Sequence, residues 1–151
     1  IAADGHLVGS HSFCHAHLRA FSPLGLRRDI RDAEQAILAT TGADPRPWFR
    51  CPYGDGWDDP EVRSAIEELG YRHVGWHVVL GDWESKRTPA ALREALDHGL
   101  RRCDGEAVVL LHSWPEATIG ALPAMLGALR ERGVTLVRLD GLERVPEAVV
   151  F

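Results

Sequence analysis

The sequence predicts an α/β fold in which parallel strands are flanked by helices. Short apolar stretches alternate with longer segments whose apolar residues recur at helical spacing. This alternation is typical of strand–helix–strand units, whose crossover connections make neighbouring strands parallel. One stretch, residues 107–111, is apolar throughout, which predicts a strand buried on both faces.

Five strand segments are predicted in this chain, at residues 6–12, 48–51, 71–80, 107–111 and 134–139. Five strands are too few to close a barrel with a packed interior, which needs about eight. Either the sheet is open, or a strand–helix unit upstream of Ile1 is missing. With no repeat, linker or low-complexity segment in between, residues 1–151 are predicted to form a single domain.

The helices are predicted from their caps and stop residues. Three of them begin with a polar N-cap followed by proline, at Ser22-Pro23, Asp59-Pro60 and Thr88-Pro89. The first is expected to end at Gly42 and the second at Gly70, because glycine commonly terminates helices. A fourth helix is predicted over residues 118–132, and a short final helix near Asp140.

Charge and hydropathy exclude some classes of partner. The formal net charge is −5, from 17 basic and 22 acidic residues, which argues against non-specific nucleic-acid binding. No stretch reaches the roughly 20 apolar residues of a membrane span, and no signal peptide is recognised in the chain. If a strand–helix unit is missing, the uncovered sheet edge predicts self-association.

Candidate site residues follow four of the predicted strands. His11 and His15 are four residues apart and could bind one metal ion, although this spacing alone is weak support. The segment 50–54, the pair Asp82-Trp83 and His112 each come at the end of a later strand. Because the carboxyl ends of parallel strands converge and carry the chemistry in such folds, we expect these residues to serve one site.

Each of these residues also has a purely structural interpretation when taken alone. Arg50 could bind a carboxylate through paired hydrogen bonds, or it could be a surface residue on a turn. Asp82 could orient a histidine, or it could be an ordinary loop carboxylate. His112 could donate a proton, or it could be a histidine whose hydrogen bonds are satisfied at the edge of the core.

With these residues in view, the chain resembles the polysaccharide deacetylases, the NodB-homology family of carbohydrate esterases. Residues 5–15 are similar to the family motif Gly-His-x-x-Gly-x-His-(Ser/Thr)-x-x-His. Residues 50–54 resemble Arg-x-Pro-Tyr-Gly, residues 82–83 resemble Asp-Trp, and residues 110–112 resemble Leu-x-His. The resemblance implies a parallel-strand (β/α) barrel-like NodB fold, incomplete at its N-terminus, with about five strand–helix units present.

The resemblance also implies a role for each motif residue. His11 and His15 would be metal ligands, and His112 would be the general acid. The remaining catalytic and substrate-binding roles would fall to residues of the other motifs. Arg50 would hold the catalytic carboxylate, and Asp82 would tune the catalytic histidine. The backbone amide of Tyr53, which follows Pro52, would stabilise the oxyanion. Substrate binding would involve Pro52 and Tyr53, Trp83 as a wall of the groove, and Leu110 in the pocket for the acetyl methyl group.

The implied reaction is metal-dependent hydrolysis of N-acetyl or O-acetyl groups on a polysaccharide or oligosaccharide such as chitin or peptidoglycan. The implied cofactor is one divalent metal ion, Zn²⁺ first and Co²⁺, Ni²⁺ or Mn²⁺ as alternatives. The partner would be an acetylated sugar polymer or oligomer, and the location extracellular or at the cell envelope.

The chain departs from the family pattern in two places. The family motif Thr-Phe-Asp-Asp-Gly, which supplies the general base and a metal-ligating aspartate, is expected upstream of Ile1. A further aspartate usually stands three residues before the Asp-Trp motif, where this chain has Val79. Two alternatives therefore stay open: a non-catalytic carbohydrate-binding pseudoenzyme, or a related metal amidohydrolase acting on a small non-sugar amide.

Overall fold

The structure is a computed structural model that describes residues 1–148. The chain divides into two compact units, Ile1–Gly75 and Trp76–Phe151. The described part contains four α-helices and four short strands, and the strands pair in parallel within each unit. Parallel pairing is what the strand–helix alternation predicts; the extent of the domain stays a prediction.

The first unit contains α1 (Pro23–Thr41), β1 (Trp48–Phe49), α2 (Pro60–Glu68) and β2 (Arg72–His73). Strand β1 pairs with β2, and on its other side it forms a parallel bridge with Ser10. Three chain segments therefore run side by side in the same direction. Their carboxyl ends lie at one edge, where the chain continues into the candidate site residues.

The core of the first unit lies between this small sheet and its two helices. The helices contribute their apolar faces, and β1 contributes Phe49. The buried residues of this core are Leu18, Leu26, Ile30, Phe49, Cys51, Val62, Ala65, Ile66 and Tyr71.

The second unit contains β3 (Val78–Val79), α3 (Pro89–Leu100), β4 (Val109–Leu110) and α4 (Glu116–Glu131). Val78 pairs with Val109 and Val79 with Leu110. Its core is formed by Val78, Leu80, Leu92, Leu96, Ala121, Met125 and Leu129.

Helix α3 approaches strand β3 closely at Gly99. A Cβ atom added at Gly99 would lie 2.3 Å from Cγ1 of Val78, which is far inside van der Waals contact. Glycine is therefore required here, because any side chain would push the helix away from the strand.

The predicted helix starts are confirmed by the cap geometry. Side-chain oxygens of the three predicted N-caps accept backbone amides in the first helical turn. The first helix ends at Gly42, whose φ of 70° is left-handed, as expected for a C-terminal glycine. None of the helices within residues 1–148 has the length and apolar character that a membrane crossing requires.

The single strand predicted over residues 71–80 is wrong. The structure has two strands there, β2 and β3, separated by residues 74–77, and they pair with different partners. Gly75 lies in the interruption, and glycine weakens a strand because it has no side chain to pack. The prediction failed because the strand-like pattern of apolar residues continues through residues 71–80, although the chain leaves one sheet at β2 and enters another at β3.

Two further predictions about strands are wrong. Residues 134–138 form no strand, and Val134, Leu136 and Val137 are between 41% and 55% exposed. β-branched side chains favour extended backbone, but within residues 1–148 this segment has no neighbouring strand with which to form a ladder. Residues 107–111 are all partly exposed, so the strand is not buried on both faces.

Candidate functional site

His11 is held at the end of the first bridge by a backbone carbonyl. Its Nδ1 lies 2.8 Å from the carbonyl oxygen of Arg50. A carbonyl oxygen can only accept, so Nδ1 carries the proton and donates it. In the neutral imidazole this arrangement places the lone pair on Nε2, which is the state that a metal-ligating imidazole requires.

The Nε2 atoms of His11 and His15 lie 3.2 Å apart. Two nitrogen ligands at about 2.0–2.1 Å from one ion are about 2.8–3.4 Å apart for angles between octahedral and tetrahedral. The imidazole pair therefore fits two coordination positions of one divalent ion. Among residues 1–148 no group of three or more His, Cys, Asp or Glu side chains is arranged to hold an ion, so this pair is an incomplete ligand set.

The loop between these histidines is held by Asp29, which sequence reasoning missed. The Asp29 carboxylate accepts the backbone amides of Phe13 and Cys14, each at 3.0 Å. Asp29 lies on α1 and is 4% exposed. The sequence carried an indication of this role: a carboxylate occupies the apolar face of the helix, three residues after Leu26 and beside Ile30.

The Arg50–Gly54 segment forms a tight turn directly after β1. The Arg50 guanidinium donates to the carbonyl oxygens of Val74 and Gly75, at 3.2 and 3.4 Å. The prediction that Arg50 holds a catalytic carboxylate stays a prediction. Burial raises the pKa of the Cys51 thiol to about 12, which argues against a nucleophilic role for it.

Tyr53 is the exposed tip of this turn. Its backbone is left-handed, with φ of 59°, and its side chain is 55% exposed, while Pro52 beside it is buried. The ring packs edge-on against His15, with centroids 4.8 Å apart, and stacks on His17 at 4.4 Å. The first unit thus brings the motif residues His15 and Tyr53 into contact.

His17 is a second residue that sequence reasoning missed. Its Nδ1 lies 3.0 Å from Oδ2 of Asp55, which also pairs with Arg19. The carboxylate fixes the orientation of the imidazole that stacks on Tyr53. No spacing rule pointed to His17, because its partner lies 38 residues away.

In the second unit the register of β3 and β4 brings Asp82 and His112 together. Val79 is opposite Leu110, so the loops that follow the two strands start side by side. Nδ1 of His112 lies 2.8 Å from Oδ1 of Asp82, and the His112 amide donates to Oδ2 at 2.7 Å. Asp82 and His112 are thus joined by two hydrogen bonds, while the catalytic roles expected of them stay predictions.

Asp82 is held as an anion by three donors. Burial alone would raise its pKa, but hydrogen bonds from the His112 amide, the His112 imidazole and the Thr118 hydroxyl outweigh burial and lower the pKa of the carboxyl group. The Thr118 hydroxyl donates to Oδ2 at 2.8 Å, a contact that sequence reasoning missed. A carboxylate in this position fixes the proton on Nδ1 of the imidazole and leaves Nε2 for chemistry.

Two exposed tryptophans surround the imidazole of His112. The ring of Trp83 lies 5.5 Å from it in an edge-on arrangement, and that of Trp114 lies 5.9 Å away. Trp83 is 44% exposed and Trp114 66%. Leu110 is half-buried on β4, two residues before the histidine. Aromatic faces that remain open to solvent are suited to stacking against a sugar ring.

Comparison with known proteins identifies the family. Residues 1–74 match the family model described as polysaccharide deacetylase. The chain is 26% identical over 139 residues to a peptidoglycan-N-acetylmuramic acid deacetylase of Bacillus subtilis, covering 92% of this chain and 52% of the relative. It is 28% identical to a chitooligosaccharide deacetylase of Azorhizobium caulinodans, covering 88% of this chain and 67% of the relative.

Solved structures agree with this assignment. A family 4 carbohydrate esterase from Streptomyces lividans, in complex with acetate, matches with a TM-score of 0.80 and 28% identity, over 91% of this chain and 68% of the other. A family 4 pseudoenzyme from Bacillus anthracis matches with a TM-score of 0.82 and 26% identity, over 99% and 50%. The first-named relative is matched over about half its length. The fold is that of the NodB-type esterases, and the chain belongs to the polysaccharide deacetylase family.

Proposed function

We propose that this chain provides a metal-dependent deacetylase activity that removes N-acetyl or O-acetyl groups from a polysaccharide or oligosaccharide such as chitin or peptidoglycan. The observation that carries the proposal is the 3.2 Å separation of the His11 and His15 Nε2 atoms, with His11 oriented by a carbonyl. Two imidazole nitrogens at this separation can bind one cation. The two histidines also belong to the segment, residues 5–15, that resembles a motif of the deacetylases.

His11 and His15 would hold one divalent ion, Zn²⁺ first and Co²⁺, Ni²⁺ or Mn²⁺ as alternatives. When bound, such an ion polarises the acetyl carbonyl and activates water. We assign no residue between 1 and 148 as the base that takes the proton of that water. The resemblance gives that role to an aspartate of the Thr-Phe-Asp-Asp-Gly motif.

His112 would protonate the leaving amine. Its Nδ1 is bonded to the ionised Asp82, so Nε2 is the atom that can deliver a proton. The Asp82 carboxylate stabilises the positive charge of the imidazolium that precedes this transfer. Thr118 supports the carboxylate through its hydroxyl.

Other motif residues would bind the substrate and the developing charge. The Tyr53 amide lies in a left-handed turn after the buried Pro52 and would donate to the oxyanion. Arg50 would hold the catalytic aspartate that the resemblance places in the Thr-Phe-Asp-Asp-Gly motif. Trp83 would stack against a sugar ring, and Leu110 would contact the acetyl methyl group.

The expected partner is an acetylated sugar polymer or oligomer, since relatives of this chain are named as peptidoglycan and chitooligosaccharide deacetylases. Such a substrate favours a location outside the cell or at the cell envelope. Self-association through a sheet edge remains part of the proposal, with the solution mass as its test.

A second candidate function is non-catalytic carbohydrate binding. One observation favours it: the similarity to a pseudoenzyme from Bacillus anthracis. A third candidate, hydrolysis of a small non-sugar amide, has no observation of its own in its favour and serves as an outcome of the test.

The test is acetate release by the full-length protein from N-acetylglucosamine oligomers and from peptidoglycan fragments, with and without added Zn²⁺. His112→Ala should abolish release while leaving bound metal unchanged, and His11→Ala should lower bound metal first. His98→Ala is the matched control, because His98 is an exposed histidine on α3.

Each result assigns one of the three functions. Zn²⁺-dependent acetate release that is lost in His112→Ala supports the deacetylase. Oligosaccharide binding without acetate release identifies the pseudoenzyme. Turnover confined to small cyclic amides overturns the sugar assignment.

A further inference from the structure

The Asp29 carboxylate lies directly against the loop that separates His11 from His15. Oδ2 accepts the amide of Phe13 and Oδ1 accepts the amide of Cys14, each at 3.0 Å. Both oxygens are thus engaged by the two residues at the centre of the loop. The side chain reaches them from α1, a separate element whose position is set by the core.

This loop has a backbone that needs external support. Ser12 has φ of 65° and His15 has φ of 52°, both left-handed values that non-glycine residues rarely adopt. Such conformations persist only when the surrounding structure holds them. The Ser12 hydroxyl accepts the His15 amide at 2.9 Å, and Asp29 fixes the two residues between them.

The position of Asp29 on its helix also needs an explanation. It shares the buried face of α1 with Leu26, Ile30 and Ala33, and it is 4% exposed. A buried carboxylate is costly unless hydrogen bonds replace its water. The two loop amides provide those bonds.

We propose that Asp29 is a positioning residue for the metal site: by holding the amides of Phe13 and Cys14, it keeps the His11 and His15 Nε2 atoms at ligating separation. The inference rests on the proposed function for the identity of the ligand, a divalent cation. In this role the two Asp29 oxygens accept backbone amides, and the proposal does not need either oxygen to bind the cation.

The test compares Asp29→Asn with the wild type in the full-length protein. Asparagine keeps the size, but its NH₂ group faces one of the two amides that the carboxylate accepted. Zn²⁺ affinity, measured by titration calorimetry, should fall by about 10- to 100-fold, the range for supporting partners of metal ligands. Hydrogen exchange at the Phe13 and Cys14 amides should become about tenfold faster, even without metal.

Two further variants keep the test decisive. Asp32→Asn, on the same helix but with a 42% exposed side chain, should match the wild type in both measurements. Asp29→Glu retains two acceptor oxygens and should restore most of the Zn²⁺ affinity and amide protection. Equal losses in Asp29→Asn and Asp29→Glu would overturn the role of the carboxylate, as would wild-type values in Asp29→Asn.

The two measurements separate this inference from the proposed function. If the wild-type protein binds no Zn²⁺, the metal assignment fails, and the loop-holding role is then judged by amide exchange alone. Unchanged exchange at Phe13 and Cys14 in Asp29→Asn overturns that role whatever the metal result.

Discussion

Replacing Asp82 by asparagine tests how this carboxylate orients the imidazole of His112, the proposed general acid. Oδ2 of Asp82 accepts the His112 amide and the Thr118 hydroxyl, and Oδ1 accepts Nδ1 of His112. An asparagine that keeps its oxygen in the Oδ2 position retains the first two bonds. Its NH₂ group then faces Nδ1, so the imidazole must accept there and carry its proton on Nε2.

The expected loss follows from the type of bond that is removed. A hydrogen bond to a charged group contributes about 1.5–3 kcal/mol, which corresponds to a fall in kcat of about 10- to 150-fold. Inversion of the tautomer raises the loss further, towards about 10⁴-fold, as in serine protease triads. KM should change little, because the side chain is 1% exposed and contacts His112 rather than solvent.

The assay is acetate release at saturating oligosaccharide, accompanied by nitrogen NMR of the His112 ring. The wild type should show the proton on Nδ1 and Asp82→Asn should show it on Nε2. Asp104→Asn, in an exposed turn, is the matched control. A variant that keeps kcat within twofold and the proton on Nδ1 would refute the role assigned to the carboxylate.

Two further predictions concern sugar binding and acid stability. Trp114→Ala should raise KM by about 2- to 10-fold with kcat nearly unchanged, since one aromatic contact contributes about 0.5–1.5 kcal/mol. Initial rates over a range of oligosaccharide concentrations measure this, with Ile119→Ala, at another exposed apolar residue, as the control. An unchanged KM in Trp114→Ala would contradict the prediction. The lowered pKa of Asp82 means that its ionised form stabilises the folded protein above its ordinary pKa of 3.8, and that this contribution is lost as the pH falls through the lower folded value. Urea unfolding midpoints of the wild type should therefore fall more steeply than those of Asp82→Asn below about pH 4; parallel curves contradict the assignment.

Local chemistry made the helix boundaries predictable. Ser22, Asp59 and Thr88 each precede a proline, and each accepts a backbone amide in the first turn of its helix. These signals act within four residues, so no knowledge of the tertiary fold was needed. The candidate site residues were also predictable from local sequence, since each comes directly after a short apolar segment that predicts a strand.

Long-range pairing made the strands harder to predict. Residues 134–138 have the composition of a strand but no ladder, and residues 71–80 belong to two different sheets. The supporting residues were missed for the same reason. Asp29 and Thr118 act on segments 15 and 36 residues away, and neither contact leaves a spacing pattern in the sequence.

Gly99 has no reactive group, yet its contact with Val78 bears on the position of the candidate site residue Asp82. Val78 begins the strand whose loop carries Asp82, and a methyl group at position 99 would overlap it at 2.3 Å. Mutant libraries that seek new substrate preferences would therefore lose function at position 99 for a mechanical reason. At position 99, tolerance to substitution is therefore limited by the space between α3 and β3.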